Sequence, residues 1–479
     1  MPSLASRTGP VASALPGQTL LNDVHSRLNR TRIGSVLQPA DVHEAVAAVR
    51  ASARAGQPLA VMGARHAMGG QQFLSGGQVL DLSALDRIRG FDPNRGLVTV
   101  QAGIRWPALL HWLATHPGNA RGWTIRQKQT GADDFSLGGA LASNIHGRGL
   151  AFAPFVDDVD SLTLVDASGR LVTASRAVNA ELFALAAGGY GLFGAVVELT
   201  LRLVPRTTLR REVRMTRATR LMDDFNAAIA SGCTYGDFQF SVDAASSDFL
   251  DLGILSCYRP VAGEPDRMQR RTLEAEDFSR LLALAHTSPG RAFDEYAAFY
   301  LASHGQRYAS DEQQSGVYLG DYHAGIDACL GHAGSEMITE LYVPRARLAD
   351  FLGDAAHMLR RTGAQAIYGT VRLVERDRDS FLAWAREPWA CVVFNLHVRH
   401  DAAGIATAAH SFRALIDLAL AHAGSYYLTY HRWATREQVE AAHPRFREFL
   451  RAKRAFDPAG RWCSDWYRHH CRLFGLPPA

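Results

Sequence analysis

The sequence lacks the features that several broad classes of protein require. Its six cysteines are scattered and include no Cys-x-x-Cys pair, so no dense disulfide framework is indicated. The 51 basic and 47 acidic residues leave a net charge of +4 without long basic runs, which disfavours a nucleic-acid partner. No apolar stretch approaches membrane-spanning length, and residues 1–20 show no signal-peptide pattern. These absences predict a cytoplasmic protein with reduced thiols and no membrane partner.

What is present is an ordinary globular composition arranged in alternating elements. Apolar residues make up 47% of the 479 positions, and a chain of this length is expected to form two domains or one elaborated α/β unit. Asp41 with Glu44 three residues later predicts the start of a helix. Predicted strands and helices then alternate to about residue 206, which indicates an α/β or α+β layer architecture.

A change of composition after Pro205 predicts a domain boundary near residue 206. The stretch RTTLRREVRMTRATRLMDDF is basic and polar and precedes a predicted helix. Residues 207–430 mix apolar strands with helices, as in an antiparallel sheet backed by helices. Residues 1–27 are interpreted as a loose N-terminal arm, and the tail is predicted to be helical up to about Ala455.

The segment VMGARHAMGGQQF, residues 61–73, joins the end of an apolar strand to a glycine-rich loop. Backbone N–H groups in such a loop can bind phosphate, but the glycines have neither the Rossmann nor the P-loop spacing. From these residues alone, a phosphate loop and an ordinary turn both stay open. Two more glycine-rich segments, DDFSLGGALASNIHGRGL and ELFALAAGGYGLFGAVVELTLRLVP, have small residues that let a flat ligand approach the backbone.

Together these segments resemble the FAD-binding domain of the vanillyl-alcohol oxidase family, also called the PCMH-type fold. VTVQAGIRWPALLHWL is similar to that family's V-x-V-x-x-G-x-x-W-x-x-L segment, and LRAKRAFDPAGRW to its C-terminal K-x-x-x-D-P-x-x-R signature. The resemblance covers nearly the whole chain. It implies an α+β fold with a two-subdomain FAD-binding domain over residues 28–206 and a substrate domain over residues 207–430. Residues 431–479 are then a C-terminal segment that returns to the FAD-binding domain.

The resemblance also gives the central histidine of the loop a role. In the histidyl-flavin branch, which includes cytokinin dehydrogenases and alditol and sugar-lactone oxidases, a loop histidine is bonded to the flavin 8α-methyl group, and His66 aligns with it. A neutral imidazole is a nucleophile suited to that bond. An unlinked His66 packed against the flavin ring is the alternative, and Ala67 stands where most members have serine. The expected FAD contacts are Gly63, Ala64, Arg65, His66, Ala67, Met68, Gly70, Gln71, Gly138, Gly139, Ser143, Asn144, His146, Gly147, Gly194 and Val196.

Candidate substrate residues lie on two predicted strands of the second domain. IYGTVRLVERD resembles the strand that bears a Glu-x-Arg pair in alditol and lactone oxidases, and here Thr370 and Arg372 occupy those positions. Residues two apart on a strand share a face, so both can point into one pocket. In ACVVFNLHVRH the same alternation groups Asn395, His397 and Arg399 on one face, which is either a pocket wall or a solvated surface.

The candidates for the proton acceptor are histidines and a tyrosine near the end of the substrate domain. YYLTYHRWAT occupies the position of the H-W-G-K segment of lactone and alditol oxidases, and His431 is retained in it. We expect His431 or His397 to accept the substrate proton, with Tyr430 as a further candidate. Arg372 or Arg399 would hold a polar or anionic part of the substrate, or negative charge on the flavin.

The resemblance implies an FAD-dependent oxidase or dehydrogenase. It would oxidise a CH–OH donor, such as a sugar, polyol or lactone-like alcohol, by hydride transfer to flavin N5, with oxygen or another acceptor taking the electrons. One alternative is a flavoenzyme of the same fold that acts on a specialised, non-carbohydrate metabolite. Another is a flavin-binding protein without turnover. No metal site is predicted, and the sequence does not decide the oligomeric state.

Overall fold

The structure is a computed structural model that describes residues 19–131, 133–266, 270–316, 319–320 and 322–477. The first 18 residues, which belong to the predicted arm, lie outside the described residues. The strands of the N-terminal half are β1 (Thr19–Leu21), β2 (Thr31–Ile33), β3 (Ser35–Leu37), β4 (Leu59–Met62), β5 (Gln78–Asp81), β6 (Ile88–Asp92), β7 (Leu97–Gln101), β8 (Trp123–Thr124), β9 (Val159–Val165), β10 (Leu171–Ser175), β11 (Ala195–Arg202) and β12 (Val204–Pro205). Its helices are α1 (Val42–Arg54), α2 (Trp106–Thr115), α3 (Leu137–Ser143) and α4 (Ala180–Ala186).

These strands form a parallel sheet in the order β3-β5-β4 and an antiparallel sheet in the order β10-β9-β11-β7-β6. Helix α1 packs between them, with Val46 and Val49 in one apolar cluster with Leu80 and Val197. The predicted start of α1 is confirmed, since the Asp41 side chain accepts a hydrogen bond from the next turn of backbone.

The second half of the chain is built on one large antiparallel sheet. Its strands are β13 (Thr208–Arg217), β14 (Tyr235–Phe240), β15 (Leu252–Val261), β16 (Arg307–Ala309), β17 (Gly334–Pro344), β18 (Ala366–Val374), β19 (Trp389–Arg399) and β20 (Ser425–Tyr426), in the order β16-β13-β15-β14-β18-β19-β17-β20. The helices of this part are α5 (Ala218–Ala230), α6 (Ala275–Thr287), α7 (Pro289–Ala302), α8 (His323–Leu330), α9 (Leu348–Thr362) and α10 (Ala402–Ala421), and several of them pack against the sheet. The predicted α+β fold with an antiparallel sheet backed by helices is therefore confirmed.

Strand β13 was not predicted from the basic stretch that follows Pro205. Its inward positions alternate as a strand requires, with Leu209 and Val213 buried. The pattern is obscured because Arg211 occupies a third inward position, where its guanidinium donates to Tyr258 Oη at 2.7 Å and to Ser303 Oγ at 2.8 Å. A buried arginine with such partners looks like a solvent-facing residue in the sequence alone.

The two ends of the described chain both contact the loops around β4. The C-terminal helices are α11 (Arg436–Ala442), α12 (Phe446–Phe456) and α13 (Asp465–Leu473), of which α13 lies beyond the predicted helical end. Trp462 forms a bridge with Leu59, and Asp465 accepts a hydrogen bond from Ser75 Oγ at 2.6 Å. At the other end, β1 pairs with β2, so residues from Thr19 onward are not a loose arm.

Among the described residues, no helix has both the length and the apolar character needed to cross a membrane.

Candidate active site

A cleft of about 440 Å³ lies between the loops of the N-terminal half and strands β17, β18 and β19. The N-terminal wall is made largely of small residues: Gly63, Ala102, Gly103, Gly138, Gly139, Ala140, Ala142, Gly191 and Gly194. A Cβ added at Gly138 would stand 2.8 Å from the Cβ of Ala102, so the backbones there are packed too closely for a side chain. Such a wall lets a flat, extended ligand lie against the backbone.

Most residues expected to contact FAD line this cleft. They are Gly63, Ala64, Arg65, His66, Ala67, Met68, Gln71, Gly138, Gly139, Ser143, His146, Gly194 and Val196. Three others support the wall from behind. Asn144 is fully buried and donates to Asp377 Oδ2 at 2.9 Å, the Gly147 carbonyl accepts from the His146 ring at 3.0 Å, and Gly70 packs beside Asn29.

The loop of residues 63–71 is held in a strained shape by its neighbours. Arg65 has φ 63°, a left-handed conformation that costs a residue with a side chain about 1–2 kcal/mol. Its carbonyl accepts from the Val24 N–H at 3.1 Å, and the Gly69 N–H donates to the Thr429 carbonyl at 3.0 Å. Segments from both ends of the described chain therefore fix the loop, as expected for a binding loop that must be preorganised.

Two side-chain acceptors of this loop are buried without a hydrogen-bond partner among the described residues. They are the Oε1 atoms of Gln71 and Gln72, and both residues line the cleft. A buried acceptor that lacks a partner destabilises the protein by about 1–3 kcal/mol, so these atoms are available to accept from the hydroxyl or N–H groups of a ligand.

His66 lies at the cleft wall beside a second histidine. Its Nδ1 is 2.7 Å from His25 Nε2, so one ring N–H donates to the other ring nitrogen, and the Phe135 ring packs edge-on at 4.2 Å between centroids. Desolvation lowers the pKa of His66, although Asp134 acts in the opposite direction. Desolvation and the nearby His66 also lower the pKa of His25 to about 3. Both imidazoles are therefore neutral near pH 7, which is the nucleophilic form.

On the opposite wall, Glu340 of β17 is surrounded by hydrogen-bond donors. Its carboxylate accepts from Tyr430 Oη at 2.7 Å and from Tyr342 Oη at 2.9 Å, and His146 Nε2 lies 3.1 Å away. Burial opposes ionisation of Glu340, but the charge and hydrogen bond of His146 and the hydrogen bond of Tyr430 outweigh burial and lower the pKa to about 2. The cleft thus contains an ionised carboxylate bonded to a tyrosine hydroxyl.

Strands β18 and β19 add polar groups to the same wall. Arg372 lines the cleft and donates to Thr130 Oγ1, and its Nε is buried without a partner among the described residues. Asn395 also lines the cleft, and its buried Oδ1 has no partner in the described chain. Thr370 is completely buried in the sheet and does not line the cleft. Arg372 and Asn395 therefore offer a donor and an acceptor to a polar ligand.

The structure does not bring the other expected catalytic residues to the cleft. His431 packs against Phe412 and Trp433 at 4.7 and 5.5 Å between ring centroids, and burial lowers its pKa to about 3. Arg399 is exposed and pairs with Asp401 at 3.0 Å. His397 lies behind the wall, where its Nδ1 is 3.2 Å from Glu336 Oε1. His397 thus contacts Glu336, which lines the cleft.

Sequence reasoning missed His25, Glu336 and Glu340. The two glutamates had a readable signal, because the apolar strand SEMITELYVP carries both at positions that share one face with Ile338. Charges on a strand buried on both faces indicate a functional site more often than a structural one. His25 had no such signal, since it lies in a segment without periodic pattern.

A comparison with known protein families agrees with this geometry. A family model described as an FAD binding domain matches residues 34–175, which carry the loop of His66 and the Gly138–Gly139 wall. The chain has a PCMH-type FAD-binding domain and is an FAD-dependent oxidoreductase. The resemblance found in the sequence is thereby confirmed.

Individual relatives of this oxidoreductase differ in how much of the chain they cover. The decaprenylphosphoryl-β-D-ribose oxidase of Mycolicibacterium smegmatis is 25% identical over 462 residues, which are 91% of this chain and 94% of the relative. The mitochondrial L-galactono-1,4-lactone dehydrogenase 1 of Oryza sativa subsp. japonica is 31% identical, and the match covers 41% of this chain and 31% of the relative. Cytokinin dehydrogenase 4 of the same plant is 30% identical over 43% of this chain and 40% of its own length. The matches to both dehydrogenases thus cover less than half of those relatives.

Proposed function

We propose that this oxidoreductase oxidises a CH–OH donor and that Tyr430 and Glu340 take up the proton of its hydroxyl group. The observation that supports this proposal is the ionised Glu340 in the cleft with Tyr430 Oη 2.7 Å from its carboxylate. A tyrosine hydroxyl bonded to a carboxylate can accept one proton while it donates another. Sugar-like alcohols and lactones appear in the names of two relatives, which supports the same donor class.

The cleft fits FAD on the evidence of its own residues. The small-residue wall leaves room for a flat ring against the backbone, and the unpartnered Oε1 atoms of Gln71 and Gln72 match hydroxyl or N–H groups of the cofactor. The loop of residues 63–71 and the Gly138–Gly139 turn would hold it. Bound FAD supplies a two-electron acceptor for the hydride of an alcohol carbon.

We propose in addition that His66 is covalently bonded to the flavin. The neutral state that desolvation imposes on His66 supports this step, since the free lone pair of an imidazole is the nucleophile. His25 is a positioning residue here, because its ring holds the orientation of the His66 ring through the 2.7 Å hydrogen bond.

The proton movement can be written for the residues of the cleft alone. The substrate O–H donates its proton to Tyr430 Oη as the Tyr430 proton passes to Glu340 Oε1, so Glu340 ends protonated and Tyr430 unchanged. His146 faces an acceptor with each ring nitrogen, the Gly147 carbonyl at 3.0 Å and Glu340 at 3.1 Å.

Arg372 is the group that would bind a polar part of the donor. Replacing it in Arg372→Gln should raise KM by about 10–100-fold with a smaller change in kcat, since a charged hydrogen bond to a ligand is worth about 1.5–3 kcal/mol. Steady-state kinetics with the most active CH–OH donor measure the changes in KM and kcat separately. Arg399→Gln removes the arginine that lies on the surface and should leave KM within about twofold. Equal effects of both substitutions would contradict the placement of the substrate.

A donor panel tests the proposed reaction. The purified flavoprotein is assayed with sugars, polyols, lactone-like alcohols and non-carbohydrate alcohols, and with amines as the contrasting class, using oxygen or an artificial acceptor. Turnover of at least one CH–OH donor and of no amine is expected. Turnover of amines alone would contradict the donor class, and no turnover with any compound would favour a flavin-binding protein without catalysis. The cytoplasmic location and the physiological acceptor stay predictions from the sequence.

A further inference from the structure

A second cluster of polar side chains lies beside the cleft, and the proposed reaction does not use it. Glu336 of β17 lines the cleft, four residues from Glu340 on the same face, which places the two Cα atoms about 13 Å apart. His286 Nε2 is 2.9 Å and His397 Nδ1 is 3.2 Å from the same oxygen, Glu336 Oε1. The three side chains are 0%, 7% and 2% exposed for His286, His397 and Glu336.

The hydrogen bonds around His397 leave one contact that neutral imidazoles and an ionised Glu336 cannot satisfy. His332 Nδ1 lies 3.1 Å from the Leu330 carbonyl, so Nδ1 carries the hydrogen and His332 Nε2 is an acceptor. His332 Nε2 lies 2.9 Å from His397 Nε2, so His397 carries its hydrogen on Nε2. His397 Nδ1 is then a lone pair, and it faces the lone pairs of Glu336 Oε1. Two acceptors in contact require a cation between them.

We propose that His286, Glu336 and His397 bind one divalent transition-metal ion, with Zn²⁺ the best match. Two imidazole nitrogens and a carboxylate oxygen are a donor set used for Zn²⁺ and for other first-row ions. Ligand atoms around such an ion stand about 3.0–3.4 Å apart, given metal–ligand bonds of about 2.0–2.2 Å. The contact of His397 Nδ1 with Glu336 Oε1, 3.2 Å, falls within that spacing, and the contact of His286 Nε2, 2.9 Å, lies just below it. All three donor atoms lie within 4.8 Å of one another.

The surroundings of the cluster suit an ion with an open coordination position. The bond between His397 Nε2 and His332 orients the ligand ring, as outer partners of metal-binding histidines do. Glu336 lines the cleft together with Asn395, so the open position faces the space that a substrate enters. The ion would bind an oxygen of the substrate there and would take no part in the electron transfer. The binding of the ion does not depend on the proposed reaction.

Metal analysis of the intact flavoprotein tests the site. The chain is purified without a polyhistidine tag, dialysed against a chelator, loaded with Zn²⁺ or Co²⁺ and freed of excess metal. Elemental analysis should give about one ion per chain. Bound Co²⁺ should add d–d absorption at wavelengths longer than the flavin bands. Neither readout requires turnover.

Three variants assign the ion to its ligands. Glu336→Gln keeps the shape of the side chain and removes its charge, and it should weaken Zn²⁺ binding about 100-fold or more. His332→Ala removes only the partner of His397 and should weaken binding about 10–100-fold. Glu340→Gln is the matched control, since Glu340 lies on the same strand in a different cluster with His146 and Cys391. It should bind Zn²⁺ as the unmodified chain does.

The results distinguish a bound metal ion from a proton, the other cation that fits between His397 and Glu336. Less than about a tenth of an ion per loaded chain would overturn the proposal and leave a proton between His397 and Glu336. Loss of binding in Glu340→Gln alone would also overturn it, because the ion would then lie in the other cluster. Circular dichroism and flavin content show whether each variant folds, and His332→Ala decides the matter if Glu336→Gln does not.

Discussion

Glu340→Gln is expected to lower kcat by about 10²–10⁴-fold while the flavin content stays unchanged. The amide can still accept the hydrogen bond of Tyr430, but it cannot take up the proton that Tyr430 passes on. The surrounding donors lower the pKa of Glu340 to about 2, so the carboxylate is ionised at neutral pH and can receive the proton in the proposed reaction. Rapid mixing of enzyme and donor without oxygen measures the rate at which the flavin is reduced.

The tyrosine provides the control for this interpretation. Tyr430→Phe removes the hydroxyl that contacts Glu340 at 2.7 Å and should lower the same rate by a similar factor. Because the two groups act in series, the double variant should lose little more than either single variant. Additive losses would show that the residues act separately, and an unchanged rate in Glu340→Gln would remove Glu340 from the reaction.

His66→Ala is expected to abolish covalent flavin attachment. Flavin in the unmodified protein should stay with the pellet after acid precipitation and fluoresce in a denaturing gel, whereas the variant should release its flavin. The physical reason is that His66 is the proposed nucleophile in the wall of the cleft, where desolvation lowers its pKa and favours the neutral ring. Noncovalent binding by the rest of the loop should survive, since many contacts share it.

A neighbouring position gives the matched control. Ala67→Ser restores the residue that most members of the histidyl-flavin branch carry and leaves His66 in place, so it should keep the flavin attached. A colourless pellet from the unmodified protein would contradict the covalent bond and would leave FAD binding intact. Release of flavin from His25→Gln as well would show that the His25 ring is needed to orient His66 for the attachment.

Much of the fold could be predicted because local signals and long-range packing agree there. The capped start of α1 follows from the spacing of Asp41 and Glu44, and it is present. Strand β13 was missed because Arg211 occupies an inward position, where only tertiary partners such as Tyr258 make it acceptable. Such a residue can be recognised only when its partners are known.

Part of the candidate site could likewise be predicted from the sequence, and part could not. The resemblance of the three glycine-rich segments to an FAD-binding family predicted the small-residue wall of the cleft, whereas the glycine content alone left an ordinary turn equally open. The residues proposed for proton uptake could not be predicted from the sequence, because segments far apart in the chain bring them together. His431 stood in the expected segment but packs on Phe412 away from the cleft, whereas Glu340 reaches Tyr430 from a strand about 90 residues earlier in the chain. His25 was missed because its segment has no periodic pattern of apolar residues.

The most direct test of the central claim is anaerobic reduction of the bound flavin by one CH–OH donor, with hydrogen and then deuterium on the alcohol carbon. The visible flavin absorbance should bleach within a single turnover, and deuterium should slow the bleaching. Tyr430→Phe should bleach far more slowly with the same donor. Flavin that stays oxidised with every alcohol, or bleaching that Tyr430→Phe leaves unchanged, would contradict the oxidation of a CH–OH donor with proton uptake by Tyr430 and Glu340.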